Sequence, residues 1–323
     1  MAKVNSFIGI EFDSHEIRAV ELTRGSDGSA SVSAFGKRQL SDNVITGGII
    51  ADSPIFVGAL GELLKNGGFN LASPAVIGVN NENVIMRYAT FPKVPDDKLK
   101  GVITMQAQDF IPVPVSELEL DFVVIDETVD DDDQPAINVL LVGARKTMIQ
   151  NLITNFEETK ITVTDIDSAF LAWCRAALEK INADETVGLL KLTDDVLNFV
   201  AVSGNEIKMV RSINIPDRAS VEVKRAFNAS GEVLDSELDV IADLLYSELS
   251  SSINYYQMQT GEIISSVYFS SATELEGTIL EKLSAKAYVP LTIPKLCEEY
   301  SNGDFDASAF AGCISLAKAA MEG

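Results

Sequence analysis

FIGIEFDSHEIRAVEL, residues 7–22, decides the fold: an apolar run, a short polar turn and a second alternating run read as a β-hairpin at the head of a sheet. The plan recurs at residues 187–202, VGLLKLTDDVLNFVAV, where an apolar strand meets a polar turn at 193–195 and a strand with apolar Val196, Phe199 and Val200 follows. Each hairpin is followed by a third strand and then by alternating helices and strands. The chain therefore reads as a duplicated α/β domain whose two hairpin turns face each other across a cleft.

From the first hairpin outward, residues 31–38 alternate as a third strand. Ser53 as cap with Pro54 in the first turn opens a helix with Phe56, Leu60, Leu63 and Leu64 inward, closed by Gly67 and Gly68, and residues 74–80 form the next strand. The simple repeat is then interrupted. Residues 84–91 read as a strand, a helix led in by Pro95 carries Leu99, Val102, Ile103 and Phe110, and strands at 118–125 and 137–143 flank the acidic run 130–133. A helix with Met148, Ile149, Leu152, Ile153 and Phe156 at helical spacing ends this inserted β/α block, residues 81–159. A strand at 163–167 and a helix at 168–181 around the single Trp173 close the first half. The second half is expected as strands at 187–192, 196–202 and 207–215, a loop at 216–231, a long helix at 234–260, then strand, helix and strand over 264–293. The last helix, 307–321, presents Phe310, Ile314, Ala317 and Met321 on one side.

Composition narrows the function classes. With 323 residues, 46% of them hydrophobic, the chain can fill about two cores. Acidic residues number 48 against 25 basic, and a net charge of −23 disfavours nucleic acid and anionic lipid as direct ligands. Cys174, Cys297 and Cys313 follow no metal or disulfide spacing and are expected to be buried free thiols of a reducing compartment. The start MAKVNSFIGIEF has no signal-peptide apolar region, and no apolar run approaches the ~18 residues of a membrane span, so a cytosolic protein is expected. His15, the single histidine, lies in a turn and is expected to be solvated, and no Cys/His cluster or nucleophile elbow is present.

A duplicated domain of this kind is the layout of the actin, Hsp70 and sugar-kinase proteins, whose two turns hold the phosphates of ATP. Such turns need glycine, so that backbone N–H groups approach the anion, and an acidic residue to organise Mg²⁺. Here they read Asp13-Ser14-His15-Glu16 and Thr193-Asp194-Asp195, without glycine. Four carboxylates would stand where phosphate belongs, and like charges ~4 Å apart repel by roughly 4 kcal/mol at an intermediate dielectric. The expectation is an ATPase architecture that has lost its nucleotide chemistry.

The inserted block carries AQDFIPVPVSELELDF, residues 107–122, then LLVGARK, residues 140–146, and the opening hairpin keeps Gly9, Ser14, Ala19, Val20, Glu21 and Leu22. In this order these segments resemble the PilM family of type IV pilus assembly proteins, relatives of the cell-division protein FtsA, over nearly the whole chain. The resemblance implies an α/β actin-like ATPase fold of two ribonuclease-H-like domains with an FtsA-type inserted subdomain. The first domain is expected at 1–80 and 160–185 with helix 305–323 packing back on it, the insertion at 81–159 and the second domain at 186–304. Against the family pattern, Glu11 stands at the Asp that begins the first phosphate turn and Asp13 at the following Gly, beside the retained Ser14. Lys191-Leu192-Thr193 replaces Asp-x-Gly, and the Gly-Gly segment against which adenine and ribose lie reads Ser270-Ser271-Ala272-Thr273-Glu274. All three nucleotide elements depart together, so no cofactor is expected, with ATP and Mg²⁺ as the alternative. Ser271 and Glu274 read as a capping box for the next helix, and Glu11 and Lys191 as a possible salt-bridge clasp across the cleft.

By the resemblance, the chain is a cytoplasmic scaffold of a pilus or related secretion machine, held at the inner membrane through the short cytoplasmic tail of a PilN-like protein. Contact with the pilus assembly ATPase is also implied. The tail groove is expected around Phe110, Ile111, Pro112, Pro114 and Arg145, between the first subdomain and the inserted one. Two other classes share the fold: an active ATPase or small-molecule kinase, with Glu11 or Asp13 as base and Asp194 or Asp195 on the metal, and a membrane-attached filament former. The second needs a basic amphipathic tail, and SLAKAAMEG offers only Lys318.

Overall fold

In the computed structural model, which describes residues 5–322 apart from 131, 205, 229–232 and 304, the described residues form two five-stranded sheets, one three-stranded sheet and one two-stranded ribbon. The first half begins with β1 (Ser6–Phe12), β2 (Glu16–Arg24) and β3 (Ala30–Gln39), followed by the two-residue strands β4 (Ile45–Thr46) and β5 (Ile49–Ile50), helix α1 (Ser53–Asn66) and strand β6 (Ala75–Val79). The inserted block holds β7 (Val84–Pro92), α2 (Asp96–Gln106), β8 (Leu118–Val129), β9 (Pro135–Arg145) and α3 (Lys146–Glu158); β10 (Val163–Ser168) and α4 (Ala169–Leu178) return to the first sheet. The second half comprises β11 (Thr186–Leu192), β12 (Val196–Ser203), β13 (Glu206–Asn214), α5 (Asp217–Phe227), α6 (Asp235–Thr260), β14 (Ser266–Ser271), α7 (Glu276–Ser284), the short β15 (Leu291–Thr292) and α8 (Ala311–Glu322).

The duplication is visible in the strand orders. One sheet runs β10-β6-β1-β2-β3 and the other β13-β12-β11-β14-β15, each an antiparallel three-strand meander joined through its first strand to parallel strands. Helices α4 and α8 lie between the two sheets. There Phe170, Trp173, Phe310, Ile314 and Ala317 bury themselves with Val20 and Leu22 of one sheet and Val187, Leu189 and Val200 of the other. The outer face of the second sheet is covered by α5, α6 and α7, that of the first by α1 and α3.

Several local expectations are corrected. The segment expected as a loop at 216–231 contains α5, whose Ala219, Val223, Ala226 and Phe227 are buried at helical spacing, and 229–232 lie outside the described residues. Asp52, not Ser53, caps α1, accepting the Ile55 N–H at 3.1 Å. The Ser271–Glu274 capping box does not form, because β14 continues through Ser271 and α7 starts at Glu276, whose own carboxylate accepts the Ser271 N–H at 2.6 Å. Helix α3, inserted by sequence order, buries Met148, Leu152 and Phe156 against Phe12 and Phe56 of the first core. The three thiols are free and buried, and burial pushes Cys174 and Cys297 up to about 12.

Helix α8 sits so close to β1 that only glycine fits at residue 9: a Cβ there would lie 1.9 Å from the Cys313 carbonyl oxygen. At Gly312 a Cβ would instead meet the end of the Glu11 side chain, 1.7 Å from Oε1. Backbone cannot retreat as a side chain can. Gly9→Ala is therefore expected to cost about 3 kcal/mol or more, and Gly312→Ala clearly less, in denaturant unfolding; equal costs would contradict this packing.

Candidate functional site

The two hairpin turns meet directly. Asp13 builds the first one, its Oδ1 accepting the backbone N–H groups of His15 and Glu16, each at 2.9 Å, in an Asx-type turn. In the second, Thr193 Oγ1 accepts the Val196 N–H at 3.1 Å and donates to Asp195 Oδ1 at 3.0 Å. Across the gap Ser14 Oγ donates to Asp194 Oδ2. The Glu82 N–H donates to Asp195 Oδ2 at 3.2 Å, and Asn198 Nδ2 donates to Asn80 Oδ1 at 3.0 Å. These three bonds stitch the halves together at the level of the turns.

The four carboxylates of the turns divide into two pairs with different solutions. Asp13 and Glu16 are compensated: Arg18 Nη2 lies 3.4 Å from Asp13, Arg18 Nε 3.6 Å from Glu16, and Lys37 Nζ 3.3 Å from Glu16. Burial opposes the charge on Arg18, yet Asp13, Glu11 and Glu16 outweigh it and hold its pKa above the ordinary guanidinium value. Among the described residues no lysine or arginine pairs with Asp194 or Asp195. Burial, then Asp13, raises the pKa of Asp194; burial, then Asp194, pushes Asp195 up to about 7. The repulsion implied by the sequence is thus offset by Arg18 on one side, while on the other it shows as carboxyls that hold their protons to higher pH than exposed ones.

His15 is not solvated, as the sequence suggested. Its ring stacks on Phe227 of α5, with centroids 6.1 Å apart, and its Nε2 is buried 3.9 Å from Asp194 Oδ2. The Glu11–Lys191 clasp is absent too: no ion pair joins them, Lys191 Nζ sits 5.7 Å from the centre of the Trp173 ring, and Glu11 Oε1 rests against Gly312 without a hydrogen-bond partner. Glu11, Lys191, Ser271, Ala272 and Thr273 border one cavity of about 390 Å³ beside the start of α8. Asp13 and Ser14 border another of about 560 Å³ with α5, while Thr193 is buried within its turn. Arg18, Asn80, Asn198 and Phe227 escaped the sequence reading. For Arg18 a signal existed, since a three-residue turn sets it opposite Glu11 in the β1–β2 register.

In the inserted block, Phe110 packs on Phe91 at 5.1 Å and stays 38% exposed, Pro112 and Pro114 are exposed, and Ile111 is buried in the sheet's core, where it offers no surface. Arg145 Nη1 lies 3.4 Å from Glu117 and Lys146 Nζ donates to the Ser116 carbonyl at 2.9 Å, so the proline segment is tied to the start of α3.

The raised carboxylates set a pH dependence. Folded Asp195 keeps its proton up to about pH 7, whereas an unfolded chain releases it near 3.8, so its stabilising contribution is complete below that value and is lost as pH rises to about 7. Asp195→Asn is expected to leave the melting temperature almost unchanged near pH 3.5 and to raise it by a few degrees at pH 8; a variant less stable than wild type at pH 8 would contradict the assignment.

Comparison with known proteins follows the same geometry. Residues 9–216, more than half of the chain, match the family model described as type IV pilus assembly protein PilM. A solved PilM–PilN type IV pilus biogenesis complex is similar with a TM-score of 0.76 at 19% identity, covering 98% of this chain and 98% of that one. The cytoplasmic domain of EpsL, an inner-membrane component of the type II secretion system of Vibrio cholerae, is similar with a TM-score of 0.50 at 11% identity, covering 96% and 94% of the two chains. A Bacteroides thetaiotaomicron protein with an actin-like ATPase fold and unknown function gives 0.50 at 9% identity over 96% and 97%. The fold is the α/β actin-like ATPase fold with two mixed sheets. The chain belongs to the type IV pilus assembly protein PilM family.

Proposed function

We propose that this chain is a non-catalytic cytoplasmic scaffold of a type IV pilus, or related secretion, inner-membrane complex, and that it binds the cytoplasmic tail of a PilN-like membrane protein. The observation that carries the loss of catalysis is the direct Ser14–Asp194 hydrogen bond between turns that contain no glycine. A triphosphate needs converging N–H donors and positive potential there. Instead Asp194 and Asp195 face the gap with no lysine or arginine paired to them among the described residues, and the N–H groups of His15 and Glu16 are spent on Asp13. At the positions where adenine and ribose would lie, Ser271, Ala272 and Thr273 carry side chains, and Thr273 Oγ1 is bonded to the Ala226 carbonyl. These residues do not fit Mg²⁺–ATP.

The scaffold half of the reading draws on the similar solved complex, which pairs PilM with PilN. It also draws on charge. Cytoplasmic tails next to membrane spans tend to be basic, and a body of net charge −23 attracts such a tail while anionic lipid repels it. Among the described residues no helix is long and apolar enough to cross a membrane, so membrane attachment through a protein partner is consistent with the chain. Phe110, Pro112, Pro114 and Arg145 are the proposed contact residues of the tail groove, with buried Ile111 fixing the turn beneath them.

Titration calorimetry separates the two halves of the proposal. Mg²⁺–ATP is expected to give no binding heat up to millimolar concentration, and micromolar binding would overturn the loss of nucleotide chemistry. A synthetic peptide of a PilN-like cytoplasmic tail is expected to bind, with Phe110→Ala weakening it about tenfold, the ~1.4 kcal/mol of a modest aromatic hot spot. A tail that binds equally well to Phe110→Ala and Arg145→Ala would move the groove elsewhere.

A further inference from the structure

Two buried charges of opposite sign, one from each half, border the cavity beside the start of α8, and neither is matched. Glu11, near the end of β1, is 4% exposed, and its Oε1 is buried with no hydrogen-bond partner. Lys191, near the end of β11, is 7% exposed, and among the described residues its Nζ has only the Trp173 ring, 5.7 Å from the centroid. Ser271, at the end of β14, adds a buried Oγ without a partner. All three line the same space of about 390 Å³.

A charge taken out of water is unfavourable unless a partner replaces its hydration. The other ionic groups inside the cavity are already engaged. Arg18 lies against Asp13 and Glu16, Lys37 against Glu16, and Glu276 accepts the Ser271 N–H. Glu274 and Asp306 also line the cavity and are exposed, so its rim is acidic.

These charges narrow what the cavity can accept. A lone anion would satisfy Lys191, leave Glu11 bare and meet Glu274 and Asp306 on the way in. A lone organic cation would satisfy Glu11 and leave Lys191 bare. For a metal ion, no three His, Cys, Asp or Glu side chains among the described residues are placed to hold one. A molecule that carries both an ammonium and a carboxylate answers both charges and gives the Ser271 hydroxyl a partner. Being neutral overall, it is not turned away by the acidic rim. Buried Trp173 and Phe310 supply an apolar wall for the carbon atoms between its two ends, and the volume falls within the ~300–1,000 Å³ of small-ligand pockets.

We infer that this cavity binds a small zwitterion of the amino-acid type, its ammonium on Glu11 and its carboxylate on Lys191, with the Ser271 hydroxyl beside it. Glu11 belongs to the first large sheet and Lys191 to the second, so the ligand bridges the two halves where these side chains do not reach each other. This site goes beyond the scaffold reading and shares with it only the premise that Mg²⁺–ATP does not occupy the cleft.

The test uses the full chain, thermal-shift measurements and titration calorimetry. The probes are the protein L-amino acids together with β-alanine, γ-aminobutyrate and ε-aminocaproate, which vary the distance between the two charges. At least one probe is expected to raise the melting temperature by a few degrees at about 10 mM and to bind with a Kd below about 1 mM. Its N-acetyl derivative, which lacks the ammonium, and its methyl ester, which lacks the carboxylate, are each expected to bind about tenfold more weakly or worse. Glu11→Gln and Lys191→Met are expected to weaken the parent probe by the same factor. Should either variant fail to fold, the two derivatives decide on the wild-type chain. The inference is overturned if no probe binds, if the blocked derivatives bind as well as the parent, or if both variants keep full affinity. Failure of every zwitterion leaves the scaffold reading standing, whereas displacement of a bound zwitterion by Mg²⁺–ATP would overturn both.

Discussion

The hydrogen bond from Ser14 to Asp194 joins two turns that descend from the same hairpin plan, and the rest of the molecule is arranged so that they can meet. Helices α4 and α8 hold the sheets at a fixed separation, with Gly9 allowing α8 to reach β1. Asn80–Asn198 and Glu82–Asp195 extend the seam on one side, and His15 against Phe227 extends it on another. Asp194 and Asp195, which pair with no lysine or arginine among the described residues, have their pKa values raised by burial and by neighbouring carboxylates, so each is protonated more readily than an exposed aspartate. The seam and the acidity are therefore one constraint: the side chains that join the two turns are also the acidic ones.

Much of this was legible in the sequence, and the reasons differ by element. The hairpins were readable because apolar strands broken by short polar turns recur at 7–22 and 187–202, and a duplicated pattern fixes both topology and the facing of the turns. The buried faces of α1 and α6 followed from helical spacing. Helix α5 was missed although Ala219, Val223, Ala226 and Phe227 have the right period, because Pro216, two valines and five charged residues gave the segment the composition of a loop. Propensity there was overruled by burial against α6 and the second sheet.

The candidate site was legible as chemistry and illegible as geometry. That Asp13, Asp194 and Asp195 stand in turns without glycine is plain from the residues. Which carboxylate receives Arg18, which keeps a proton and which accepts Ser14 depends on cross-strand register and on the distance between halves, quantities that composition does not carry. The Glu11–Lys191 clasp failed for the same reason. Corresponding strand ends did not guarantee that the side chains point at one another, and Trp173 and Gly312 receive them instead.

Strand β9 passes without a loop into α3, and α3 is anchored in the first core by Met148, Leu152 and Phe156. The small three-stranded sheet is consequently mounted like a lever on the first half, while Lys208 and Asp126 tether it to β13 of the second. Any tug on that sheet at the proline segment is therefore delivered to the first half through the α3 anchor and to the second through the Lys208–Asp126 pair.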